Sequence, residues 1–252
     1  MGSAGSIFWL QYAYAPPVFR KVAESVPPIS LTQILPSQCL VCHAWPARPL
    51  CDECAARFRA DVPRCDSCAE PISAGIIRCG ACLTDPPPLD RCIAALSYEW
   101  PWWLYIRRFK FQHDLGLAAT LSQLLLAAPG ARDLLGRADC VLPIPSSAKR
   151  LEERGYNPAL LIARAVAPNH CRMDVLERPV DHPPQRSLKR AERLHNVRGA
   201  FAINAKRASD LNGKRVVLVD DVMTTGATLH EAARVLRRAG AAAVAALVLA
   251  RD

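Results

Sequence analysis

The sequence predicts an α/β protein, a parallel β-sheet flanked by helices and preceded by a small cysteine-rich module. Three observations predict it. Short, continuous apolar runs alternate with helix-like segments over the C-terminal two-thirds, the pattern of strands buried on both faces. Eight of the 11 cysteines fall into four Cys-x-x-Cys pairs in the N-terminal third. Between these regions, Pro86-Pro87-Pro88 makes a stiff extended spacer. The expected organisation is a loosely ordered leader (1–30), a cysteine module (31–84), a linker (85–90) and an α/β domain (91–252).

With 252 residues, 51% hydrophobic and 22% charged, the chain can bury a sizeable core, which excludes a disordered class. No apolar run reaches the roughly 18 residues of a membrane span. No basic residue precedes the first apolar stretch, as a secretion signal would require. A cytoplasmic protein is therefore expected. The net charge of +9 is unevenly placed. Residues 1–90 hold 7 Lys/Arg and 8 Asp/Glu, and residues 91–252 hold 25 and 15. The basic C-terminal part suits polyanionic partners, from nucleotide phosphates to nucleic acid.

The cysteine pairs are Cys39/Cys42, Cys51/Cys54, Cys65/Cys68 and Cys79/Cys82. Two residues between cysteines let one tight turn aim both sulfurs at a single ion. Two such turns close a tetrahedral four-thiolate site around Zn²⁺. Four pairs make two sites, and the spacing admits both sequential and interleaved pairing. Sites made wholly of cysteine leave no open coordination position, so both ions are expected to be structural. The module is neutral to acidic, which argues against a stand-alone nucleic-acid binder. Cys92, Cys140 and Cys171 lie outside the pairs and are expected to be buried small apolar residues.

In the α/β domain, strands are expected at 92–98, 138–144, 215–219 and 242–249. Helices are expected at 115–128, at 157–167 with its cap at Asn157, and at 228–239, ended by Gly240. Ligands bind such sheets at the carboxyl ends of the strands. There Asp220 and Asp221 are followed by Val222, Met223, Thr224, Thr225, Gly226, Ala227 and Thr228. Gly226 allows a tight turn, and the loop amides and helix dipole favour an anion. The threonine hydroxyls add donors for phosphate oxygens. The carboxylates would repel a phosphate but suit neighbouring sugar hydroxyls. A phosphate joined to a diol is a ribose 5-phosphate.

The segment VVLVDDVMTTGATL (216–229) resembles the phosphoribosyl pyrophosphate signature of type I phosphoribosyltransferases. Further segments are similar to the pattern of the ComF family: VLPIP at 141–145, Lys149-Arg150, Arg154-Gly155-Tyr156-Asn157, Pro184-Gln185, Arg193, NVRGAF at 196–201 and RRFKF at 107–111. The cysteine module also matches ComF-like proteins with a double zinc ribbon. The resemblance covers about residues 31–251.

It implies the type I phosphoribosyltransferase fold, with a hood over the site. Asp220 and Asp221 would hold the ribose hydroxyls and stabilise an oxocarbenium-like transition state. Residues 224–228 would bind the 5-phosphate. Ser146, Ser147, Lys149 and Arg150 would receive pyrophosphate alongside Mg²⁺. Arg154 is a weaker candidate, whose alternative is a surface pair with Glu152 or Glu153. Gln185, Arg186, Lys189 and Arg193 are candidates for a closing loop, and a nucleic-acid contact is the rival reading of that segment. The aromatic cluster at 100–105 is read as packing rather than base stacking. His113 is read as a surface residue.

Two functions compete. One is an enzyme transferring phosphoribose from phosphoribosyl pyrophosphate to an unidentified nitrogen acceptor. The other is a non-catalytic module sensing a phosphoribosyl ligand or binding single-stranded DNA through the basic C-terminal domain. The family's link to natural competence and DNA use makes competence or DNA-processing proteins expected partners.

Overall fold

The structure, a computed structural model, describes residues 37–45, 47–179 and 199–252. In chain order the elements are helices α1 (Asp52–Phe58) and α2 (Gly80–Thr84), then strand β1 (Arg91–Ser97). Helices α3 (Trp102–Phe111), α4 (Leu117–Leu126) and α5 (Ala131–Gly136) follow, then β2 (Cys140–Pro143). Next come α6 (Ala148–Arg154), α7 (Pro158–Val166), β3 (Leu176–Glu177), β4 (Ala202–Ile203) and a 3-10 turn at Ala208–Leu211. The run closes with β5 (Arg215–Met223), α8 (Ala227–Arg238) and β6 (Ala243–Arg251). The expected leader and all four candidate closing-loop residues, Gln185, Arg186, Lys189 and Arg193, lie outside the described residues.

Strands β1, β6, β5 and β2 form one parallel sheet in that order, while β3 and β4 form a small antiparallel pair. Alternation along β5 explains why the strand reads as a continuous apolar run. Val217 and Val219 enter one core with Leu121, Leu125 and Ile162 from α4 and α7. Val216 and Leu218 enter a second core with Leu229, Ala232 and Leu236 from α8. Helices cover both faces, so Val216 to Val219 are all apolar.

Each expected strand is present, with shifted ends. The main difference is β5, which runs past Val219 to Met223, so that Asp220 pairs with Val248 and Val222 with Ala250. Backbone pairing outweighs the poor strand propensity of two aspartates because β6 offers a ladder of matching length. Asn157 caps α7 as expected, its Oδ1 accepting from Ala159 N at 3.0 Å. Helices α3, α5 and α6 are additions to the expected set. Cys92 is buried, but Cys140 and Cys171 are only half-buried, which corrects the expectation that all three are core residues. Among the described residues, no helix is long and apolar enough to cross a membrane.

The cysteine module is built as two copies of one plan. Cys39/Cys42 and Cys65/Cys68 each form a turn whose next residue, His43 or Ala69, has positive φ (61° and 57°). Cys51 and Cys79 each occupy the N-cap of a short helix, α1 or α2, which carries the fourth cysteine. The module also packs into the main core. Cys39, Leu50 and Cys54 share a cluster with Trp102, Tyr105 and Ile106 of α3. Trp102 Nε1 donates to Phe58 O (3.2 Å) and Tyr105 Oη to Pro49 O (2.8 Å). The aromatic cluster therefore packs the module against the sheet domain.

Candidate functional site and metal centres

The metal centres follow from the repeat. Cys39, Cys42, Cys51 and Cys54 converge at one point, and Cys65, Cys68, Cys79 and Cys82 at another, with the four sulfurs of each set within 4.8 Å of one another. The pairing is therefore sequential, and the interleaved alternative falls. Cys42 and Cys51 sulfurs lie 3.7 Å apart, as do those of Cys68 and Cys79. A tetrahedron with Zn–S bonds of about 2.3 Å has edges of about 3.8 Å, so the residues present fit Zn²⁺. Backbone amides prepare one sulfur in each set, Cys39 and Cys65, for a cation, while burial and the neighbouring sulfurs push Cys54 and Cys82 up. Burial raises the Cys39 thiol pKa, but amide bonds from Cys42, Cys51 and Val41 outweigh it and bring the value to about 6. Cys65 is brought to about 7 in the same way, against burial, by the amides of Cys79, Ser67 and Cys68.

The second site is a cleft of about 410 Å³ at the carboxyl ends of β2 and β5. That volume lies within the range of small-molecule sites. Asp220, Asp221, Thr224 and Thr228 line one side, Ser146, Arg150 and Arg154 another. Gly226 makes the turn from β5 into α8 with φ 77°. A Cβ there would stand 2.6 Å from Met223 Cε and 2.9 Å from the His230 ring, so the position admits only glycine without rearrangement. Burial pushes the His230 imidazole down to about 4, and this neutral ring packs beneath the turn.

The two aspartates are held differently. Asp221 is buried and ion-paired to Lys110 Nζ at 2.8 Å, with side chains 12% and 15% exposed. Asp220 accepts from Asp221 N at 2.8 Å, and its carboxyl is pushed up to about 7, first by burial and then by the adjacent Asp221 charge. Lys110 pulls in the opposite direction without cancelling the rise. The pair thus carries less than two negative charges near neutrality.

The remaining sequence candidates divide. Ser146 and Arg150 line the cleft, whereas Ser147 spends its buried hydroxyl capping α6 through Arg150 N (3.3 Å), and Lys149 is exposed outside the lining. Arg154 lines the cleft with its guanidinium 4.7 Å from the centroid of the Phe111 ring. No ion pair to Glu152 or Glu153 forms among the described residues, which corrects the surface-pair alternative. His113 is exposed, as expected of a surface residue. Lys110, Phe111, Tyr98 and Asp252 also line the cleft and were not singled out as site residues. The only sequence signal for the first two was their place in the RRFKF segment.

Comparison with known proteins gives this geometry a family. The phosphoribosyl transferase domain family matches residues 152–252, and the double zinc ribbon domain family matches residues 30–83. Competence protein F of Haemophilus influenzae is 33% identical over 178 residues, 67% of this chain and 76% of that protein. The DNA utilization protein YhgH of Escherichia coli O157:H7 is 31% identical over 208 residues, 80% of this chain and 90% of that protein. The chain belongs to the ComF family. Competence protein ComFC of Bacillus subtilis is 38% identical over a shorter 120 residues, 44% of each chain. This ComF-family protein therefore combines a type I phosphoribosyltransferase domain, a parallel sheet with flanking helices, with two zinc-ribbon sites of four cysteines each.

Proposed function

We propose that the cleft binds a 5-phosphoribosyl group, and that its ligand is phosphoribosyl pyrophosphate carried with Mg²⁺. One observation carries the reading: a carboxylate pair and a hydroxyl-lined helix N-terminus face the same cleft, spaced by a single short turn. The amides and hydroxyls of residues 224–228 receive the 5-phosphate. Asp220 and Asp221 accept from the ribose 2- and 3-hydroxyls, and Ser146 and Arg150 take the pyrophosphate. Asp220 and Asp221 stand side by side on the cleft wall. That suits Mg²⁺, which binds through one or two carboxylates plus substrate phosphates and keeps its remaining waters. Asp220 with the hydroxyl oxygens would hold the ion, which would neutralise charge gathering on the pyrophosphate.

In the transfer reaction, the C1–O bond to pyrophosphate breaks and its electron pair departs with the leaving group. A nitrogen lone pair then closes on C1, and the proton that nitrogen gives up passes to the departing pyrophosphate or to water. The positive charge that builds on the sugar ring meets the negative aspartate pair, which stabilises the transition state more than the ground state. The names of the relatives, competence protein and DNA utilization protein, supply the setting we infer for this chain, handling of DNA or its products. The basic 91–252 region, with 25 Lys/Arg against 15 Asp/Glu, favours a second reading in which a sensing module touches single-stranded DNA.

Calorimetry with phosphoribosyl pyrophosphate and Mg²⁺ tests the pocket. Wild type should bind, and Asp220→Ala/Asp221→Ala should bind at least about a hundredfold more weakly, the loss of two hydrogen bonds to charged groups. A well-folded wild type that does not bind overturns the reading. Steady release of pyrophosphate with a nitrogen acceptor separates the enzyme from the sensor.

A further inference from the structure

A route of direct contacts leads from the second zinc site to the phosphoribose loop, and Arg251 is its centre. This residue ends β6 beside Met223, its register partner on β5. Its side chain is 9% exposed. Nε donates to Cys68 O at 3.2 Å, and Nη2 meets Glu70 Oε2 at 2.5 Å. Both acceptors belong to the turn that carries Cys65 and Cys68. Nη1 reaches Met223 O at 3.4 Å, the last carbonyl before Thr224, and Asp252 N donates to the same oxygen at 3.0 Å.

A second strand of contacts runs beside the first. Cys92 N donates to Asp66 O at 2.6 Å, within the same zinc turn, and Cys92 Sγ lies 3.6 Å from Met223 Sδ. The Met223 methyl in turn occupies the space a Cβ on Gly226 would need, at 2.6 Å. Met223 is therefore fixed at its carbonyl by Arg251 and at its sulfur by Cys92, and its side chain closes one side of the Gly226 turn. Buried polar groups held this way have two arrangements, bonded or broken, and little between. No comparable set of bonds ties the first zinc site to this loop among the described residues.

We propose that Arg251 is a positioning residue which passes the geometry of the Cys65/Cys68/Cys79/Cys82 knuckle to the 223–228 loop. The zinc ribbon is then part of the ligand site's scaffold, acting on it chiefly through the Arg251 guanidinium, with Cys92 as a second support at the Met223 sulfur. The ligand half of this inference rests on the proposed phosphoribosyl reading, and the loop half does not.

The test uses the full chain with both zincs loaded, comparing wild type, Arg251→Gln, Arg251→Lys and Glu70→Gln. Zinc content, calorimetry with phosphoribosyl pyrophosphate and Mg²⁺, and hydrogen exchange of the 223–227 amides are read for each. Arg251→Gln should keep two zincs, bind about tenfold more weakly and exchange faster at these amides, as loss of one charged hydrogen bond implies. Arg251→Lys should recover part of both effects. Glu70→Gln, at an outer and half-exposed partner, should shift both in the same direction by about threefold. Arg251→Gln with wild-type binding and wild-type exchange overturns the proposal. If wild type does not bind, the phosphoribosyl reading fails, and exchange alone decides the loop claim. If Arg251→Gln loses its zinc, Glu70→Gln decides, and unchanged binding and exchange there overturn the proposal.

Discussion

Between residues 37 and 84, Leu50 is the only buried aliphatic side chain larger than alanine among the described residues, and four cysteines with Ser67 and Ala69 supply the rest of the interior. The sheet has the opposite build. Val216, Val217, Leu218 and Val219 on β5, and Val244, Leu247, Val248 and Leu249 on β6, are all at or below 2% exposure. One region is ordered by metal–sulfur bonds, the other by removal of apolar surface from water. Yet the two share a core, because Cys39 and Cys54 pack against Trp102 and Tyr105. Metal chemistry and apolar burial thus hold opposite ends of α3, whose far end presents Lys110 and Phe111 to the cleft.

Chelation is the sharpest way to break this contrast. Structural zinc contributes about 10–16 kcal/mol per site at neutral pH, so stripping both ions should unfold the module. Trp102 would lose its Phe58 partner, and tryptophan fluorescence should shift to the red while far-ultraviolet dichroism of the sheet domain largely persists. An apo protein with unchanged fluorescence and melting temperature would show that the module does not depend on metal. Metal analysis should find about two Zn²⁺ per chain, one for each four-cysteine set.

Leu218→Ala probes the other side of the comparison and should cost about 2–5 kcal/mol by urea unfolding. Leu218 lies in the core on the α8 face, which Ala69 and Cys68 of the second zinc turn only border, so most of the same loss should appear with and without chelator. A loss that vanishes on chelation would mean the two regions unfold only as one.

The cleft gives a smaller, pH-dependent effect. The Asp220 carboxyl stands at about 7 in the folded protein against an ordinary value of 3.8, so the folded state binds more protons between those values. Ionising Asp220 therefore lowers stability as pH rises through that window, and the deficit persists above about 7. Asp220→Asn should be more stable than wild type at pH 8 by about 1–2 kcal/mol, with the gain shrinking towards pH 4. Parallel melting curves across that range would refute the elevated value.

The smallest effect returns to the metal module. His43 is exposed at φ 61°, a conformation that costs a non-glycine residue about 1 kcal/mol. His43→Gly should raise the zinc-loaded melting temperature slightly, and a lower one would show that the histidine makes a contact worth more than its strain.

Much of this was legible in the sequence. Apolar runs located all four sheet strands, since the segments buried on both faces carry no polar interruptions. The cysteine spacing located both zinc sites, because Cys-x-x-Cys is a local constraint. The Asp220-to-Thr228 segment is likewise contiguous, and its chemistry could be read without tertiary contacts. Lys110 could not be placed this way. Its partner Asp221 is distant in sequence, and only the packing of α3 across the sheet brings them to 2.8 Å. The length of β5 was underestimated because strand propensity ends at Asp220 while the ladder to β6 continues. Sequential zinc pairing likewise required coordinates, because both pairings satisfy the same spacing.

The sheet order has a consequence for biosynthesis. Each zinc site takes all its ligands from one contiguous stretch, so it can load while later residues are still being translated. The sheet has no such freedom. β6 is the last of its strands in the chain and lies between β1 and β5, so β1 has no partner, and β5 only β2, until the ribosome has delivered it. Until then β1 and β5 present apolar edges, and among the described residues the metal-loaded ribbon comes earliest in the chain with all its ligands at hand. A cell short of zinc would release this protein with its ribbon unformed beside a completed sheet.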